Sequence, residues 1–154
     1  MELLDCFLQL IFVSSCCIHC YTDWKYMLLY DETNIILMVA GVMRQALFGS
    51  MQSAILGGLV VGGIFLLIYY IGKGGMGLGD VKLAVVLGVW LGWQQGCVCL
   101  LLALWLGCII GVGLICLGKR NAKDAIAFGP YMCMAGVIML YYGERIILFY
   151  ANLF

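Results

Sequence analysis

The sequence predicts an all-α integral membrane protein of six transmembrane helices, with the N- and C-termini on the non-cytoplasmic side. Three observations carry that expectation. Of 154 residues, 66% are hydrophobic and only 10% are charged, against about 25% charged in soluble domains. The apolar residues fall into six runs, and a membrane crossing needs about 20 such residues. The basic residues are sorted to one side of those runs. Six crossings use most of the chain, so residues 1–154 read as one membrane domain with short loops and no separate soluble part. A formal net charge of zero gives no footprint for nucleic acid.

Each run is bounded by charge or glycine. The first, Leu3–Cys20, stops short of Asp23 and Lys25. No cationic leader or small-residue cleavage site precedes it, so it reads as a retained span rather than a signal peptide. Asn34–Phe48 follows Asp31 and Glu32, and Ser53–Ile71 stops at a glycine-rich loop. Val81–Gly96 starts after Asp80, Cys97–Leu117 stops before Lys119 and Arg120, and Ala125–Tyr142 lies between Asp124 and Glu144. The second and fourth are short for a bilayer of roughly 30 Å, which tolerates them by thinning or by lengthening of the helices. The tail after Tyr142 either extends the sixth helix or lies in the interface.

Six spans put both termini on one side. The loops at 21–33, 72–80 and 118–124, with their edges, then hold Lys25, Lys73, Lys82, Lys119, Arg120 and Lys123, six of the eight basic residues. The other side has Arg44 and Arg145. The positive-inside rule makes the three loops cytoplasmic. Within the runs, Gly58 and Gly62, then Ala84, Gly88 and Gly92, then Gly107 and Gly111 recur at four-residue spacing. In lipid that spacing serves close helix packing.

The cysteines inside the runs read as small hydrophobes. The cluster "CCIHC" at 16–20 has a C-x-x-C and His19, but structural zinc sites draw on a second ligand pair and the chain has no other histidine. No metal or other cofactor is expected, and His19 reads as interfacial.

Among the eight carboxylates, Asp23 falls where the first helix ends and Asp80 where the fourth begins, at one depth on one side. Two carboxylates a few ångströms apart share a proton, leaving one to activate water and the other to polarise a carbonyl. The plainer reading is that Asp80 caps its helix and Asp23 merely ends one. The five glycines at 72, 74, 75, 77 and 79 favour chemistry, because glycine lets another backbone approach closely, as an extended substrate strand would. The formal G-x-G-x-x-G match has neither the strand nor the following acid of a dinucleotide site.

The stretch "GMGLGDVKLAVVLGVWLGW" (75–93) resembles the G-x-G-D signature of the prepilin peptidases, membrane aspartic proteases of pilin-like precursors. "TDWKYMLLYDETN" (22–34) and "AFGPYMCMAG" (127–136) are similar to two further stretches of that family. The resemblance implies a single transmembrane aspartic peptidase domain with Asp23 and Asp80 as the catalytic pair and Asp31 as the backup acid. It places Gly75, Gly77, Gly79 and Lys82 along the active-site loop, and gives Gly129 and Pro130 the turn into the last helix. Tyr30 stands where the family commonly has proline. Larger members add a domain with paired C-x-x-C motifs and methylate the new terminus; here that activity is expected to be absent. The implied partner is a prepilin-like protein with a basic leader and an apolar helix, cleaved at the inner face of a prokaryotic cytoplasmic membrane. The rival expectation is a small transporter or channel subunit using the same aspartates as proton or cation ligands.

Overall fold

The computed structural model describes residues 1–72, 76–118 and 127–152. Five helices follow in order: α1 (Glu2–Tyr26), α2 (Asp31–Phe48), α3 (Met51–Ile71), α4 (Leu78–Cys116) and α5 (Gly129–Ala151). All but α2 are long and apolar enough to cross a membrane. Their outer faces carry exposed Leu10, Leu59, Leu67, Trp105 and Phe149, whereas Ser15, His19, Thr22, Asp23, Asn34, Gln45 and Asp80 are buried. Polar groups inside and large apolar groups outside suit a lipid solvent, and the chain is a multi-pass membrane protein.

The 39-residue α4 is not one rod. Gly92 has φ 73° and ψ 177°, a conformation that a β-carbon disfavours. A β-carbon on Gly96 would stand 3.4 Å from the Gly88 Cα, although eight residues of straight helix span about 12 Å. The helix therefore folds back at Gly92 into two antiparallel arms, 78–91 and 93–116. The expected break at Gly96–Cys97 is corrected to Gly92, which is the turn as well as a glycine packed closely on Gly57 of α3. Breaking the helix there frees the Trp90 carbonyl, which accepts a hydrogen bond from Gln45 Nε2 at 2.7 Å. Gln45 Oε1 also accepts from the Ser50 backbone N–H at 3.2 Å, tying the α2–α3 turn to the same point.

Trp90 sits at the centre of the bundle. It is fully buried, its indole N–H donates to the Leu37 carbonyl at 2.7 Å, and Phe12 packs 4.8 Å from its ring. Around it α4 packs on α2, α3 and α5, while α1 packs on α2 and α5. The α3–α4 contact is the closest: a β-carbon on Gly57 would overlap the Gly88 carbonyl oxygen. Small residues thus bring two backbones together, as their spacing predicts.

Other boundaries move as well. The first helix runs six residues past the expected Cys20, so His19 is fully buried rather than interfacial. The last begins at Gly129, with residues 127–128 not helical, and it absorbs the tail as far as Ala151. Lys73, Gly74, Gly75, Lys119, Arg120, Lys123, Asp124 and the expected start of the sixth helix at Ala125 lie outside the described residues.

Candidate active site

The buried stripe of α1 runs through Leu8, Phe12, Ser15, Cys16, His19, Thr22 and Asp23, the three- and four-residue spacing of a helix face turned inward. Asp23 closes that stripe in the last turn and is 6% exposed. Its carbonyl accepts the N–H of Met27, which ends the helix in the left-handed region at φ 50°. Its carboxylate oxygen Oδ2 accepts the backbone N–H of Gly129 at 2.8 Å. Gly129 is the first residue of α5, and because Pro130 has no N–H and Tyr131 and Met132 donate to the Phe128 carbonyl, the carboxylate takes the single free N–H of this helix start. The geometry needs glycine: a β-carbon there would stand 2.6 Å from Asp23 Oδ2.

Asp80 lies in the first turn of α4 and is 8% exposed. Gly77, not Asp80, holds the N-cap position. The Asp80 backbone N–H donates to the Gly77 carbonyl at 3.1 Å and closes the first turn. The Asp80 carboxylate is also within electrostatic reach of Asp23. Two buried acids therefore lie within electrostatic reach of each other at one end of the bundle, and the Gly129 N–H holds the first of them. Among the described residues neither has a salt-bridge partner, since the ion pairs are Arg44–Asp5 and Lys82–Asp31. Buried carboxylates without a cation are costly, which makes such groups candidates for a functional site.

The remaining expected residues divide. Asp31 does not join the buried pair; it is exposed at the start of α2 and binds Lys82 Nζ through both oxygens at 2.7 Å. Lys82 is thereby held on the outer side of α4. Gly79 belongs to the first turn of α4 rather than to a loop, and packs against Leu29. Gly77 keeps extended backbone at φ −74°, ψ 144°. In the "CCIHC" cluster Cys16 is buried and Cys17 exposed, so these two cysteines point to different sides of the helix.

Sequence reasoning gave Gly129 a turn and missed its hydrogen bond to Asp23. A glycine followed by proline at a helix start was the available signal, because that pairing leaves a bare N–H beside a position with no side chain. Two further buried polar residues were missed. His19 lies one turn before Asp23, and among the described residues neither of its ring nitrogens has a partner; the same holds for the carboxamide of Asn34.

Residues 10–112 match the family model described as the type IV leader peptidase family. Over 141 residues the chain is 36% identical to a prepilin leader peptidase/N-methyltransferase of Aeromonas hydrophila, covering 87% of this chain and 49% of that protein. The protein of the same name from Aeromonas salmonicida (strain A449) is 37% identical over 142 residues, covering 86% of this chain and 48% of the relative. A third, from Legionella pneumophila, is 32% identical over 137 residues, with 84% and 48% covered. The chain thus spans about half the length of the curated relatives it matches. No solved structure matches.

Proposed function

Since the chain belongs to the type IV leader peptidase family, we propose that it is a membrane aspartic endopeptidase that removes the leader from type IV pilin-like precursors. Asp23 and Asp80 form the catalytic dyad, and cleavage falls at the cytoplasmic face of the inner membrane. The observation that carries this reading is the pair of buried carboxylates at one end of the bundle, which have no salt-bridge partner among the described residues. In the same reading the folded-back α4 crosses twice, giving six crossings with both termini outside. The rival transport reading calls for a polar site near the midplane, whereas Asp23 closes α1 and Asp80 opens α4.

The chemistry follows from one proton held between two acids. The ionised carboxylate takes a proton from water, whose oxygen attacks the scissile carbonyl carbon. The protonated partner gives its proton to the carbonyl oxygen. Collapse of the tetrahedral intermediate breaks the C–N bond, and the proton taken from water passes to the departing amine. The Gly129 N–H holds the Asp23 carboxylate in place throughout.

The test uses the purified full chain and a pilin-like precursor. Asp80→Asn and Asp23→Asn are each expected to lower the cleavage rate by about 10³-fold or more, the scale of lost acid–base catalysis, while inserting normally. Processing at the wild-type rate by either variant refutes the dyad.

A further inference from the structure

The two helices that carry the proposed dyad do not pack backbone to backbone. Among the described residues the α1 backbone meets α2 and α5, and the α4 backbone meets α2, α3 and α5. The rings of Phe12 and Trp90 do touch, but each lies ten or eleven residues from its acid, about 15 Å along a helix. The spacing of Asp23 and Asp80 therefore depends on what joins the two helix ends. Gly129 holds Asp23 from the side of α5. On the side of α4, the first turn is met by the linker 27–30.

That linker leaves α1 directly after the turn that carries Asp23. The Met27 N–H donates to the Asp23 carbonyl, and Met27 takes φ 50°, ψ 39°, a left-handed conformation that is costly for a residue with a side chain. Such a turn persists where its surroundings hold it. Met27, Leu28 and Tyr30 are exposed, whereas Leu29 packs against the core. Leu29 reaches Gly79, the residue before Asp80. A β-carbon on Gly79 would stand 3.1 Å from Leu29 Cβ, 3.2 Å from its Cδ1 and 3.6 Å from its Cγ, and these are the nearest atoms it would meet. The Asp31–Lys82 pair fastens the chain to α4 just beyond, but an exposed ion pair is loose. The packed leucine is the firmer hold.

We propose that Leu29 is a positioning residue of the dyad: its side chain, seated on Gly79, sets the first turn of α4, and so Asp80, at a fixed distance from Asp23. The assignment rests on the peptidase reading above. It adds a residue that acts through the backbone of Gly79 rather than on the reacting atoms. Truncating Leu29 leaves that turn free to shift, and a shift of about 1 Å in a reacting group can cost roughly 100-fold in rate. The loss falls on kcat, because the misplaced group is one that performs chemistry.

Two measurements on the full chain in detergent decide it. In the first, kcat and KM for a pilin-like precursor are compared between wild type, Leu29→Ala, Leu29→Met and Leu28→Ala, with thermal melting alongside. Leu29→Ala is expected to lose about 10-fold or more in kcat with KM unchanged. Leu29→Met, which keeps the reach and volume of the side chain, is expected to restore kcat to within about 2-fold of wild type. Leu28 is 58% exposed, and Leu28→Ala is expected to match wild type. In the second, hydrogen exchange is followed across residues 78–82, where the Gly77 carbonyl holds the Asp80 amide. Exchange is expected to quicken about 10-fold in Leu29→Ala and to stay at the wild-type rate in Leu29→Met and Leu28→Ala. If Leu29→Ala does not fold, Leu29→Val, one methylene shorter than wild type, is read in the same way. Wild-type kcat or wild-type exchange in the truncated variant overturns the positioning role, as does a loss carried by KM or shared by Leu28→Ala. Wild-type protein that never cleaves the precursor overturns the peptidase reading instead, and the exchange measurement then decides whether Leu29 holds Asp80.

Discussion

Gly129→Ala perturbs the proposed dyad without touching either acid. A β-carbon at this position would stand 2.6 Å from Asp23 Oδ2, 3.1 Å from its Cγ and 3.2 Å from its Cβ. Ordinary contact begins at 3.4 Å, so the carboxylate must retreat by about 0.8 Å, the difference between 3.4 and 2.6 Å. Misplacing a reacting group by about 1 Å can cost roughly 100-fold in rate. Gly129→Ala is therefore expected to lower kcat/KM by about 10- to 100-fold, or about 1.4–2.7 kcal/mol of transition-state stabilisation. The fold is largely spared, because the atoms that give way belong to a side chain rather than to backbone. Weakening one hydrogen bond to the Gly129 N–H accounts for about 1 kcal/mol. The assay is the rate at which precursor shifts to the mature mass, with Gly113→Ala as control, since a β-carbon at Gly113 meets nothing within 4 Å. Wild-type turnover by Gly129→Ala, with the variant folded, refutes the claim that this N–H positions Asp23.

Three further outcomes follow from the same packing. Gly92→Ala forces an L-residue into φ 73° and against Ser53 Oγ, so thermal unfolding should register a loss of about 1–2 kcal/mol or more. Gln45→Leu strips the Trp90 carbonyl and the Ser50 N–H of their partner; each orphaned group costs about 1–3 kcal/mol, readable as a lower melting temperature. Gly57→Ala sets a β-carbon against the Gly88 carbonyl, whereas Gly63→Ala meets open space. Melting should fall for the first and hold or rise for the second, where alanine gains up to about 1 kcal/mol of helix propensity.

The sequence by itself determined the membrane class, the helical content and the residues worth watching. Composition is a bulk property, and 66% hydrophobic residues exclude a soluble fold whatever the packing. Charge breaks marked the runs, so Asp23 and Asp80 stood out as acids at helix ends before any coordinates. What local pattern could not supply was where an apolar run turns. Gly92 sits among Gly88 and Gly96 at the same spacing, and a positive φ leaves no trace in composition; only contact with α3 and Gln45 selects it as the hinge. The sequence ranked Asp23 ahead of Asp31, and packing supplies the reason. Asp23 and Asp31 lie eight positions apart, and the extension of α1 to Tyr26 turns the first inward, while Lys82 holds the second at the surface. The bond from Gly129 to Asp23 joins residues 106 positions apart. Such a contact depends on the bundle closing, because directional short-range forces act between groups that only tertiary packing brings within 3 Å.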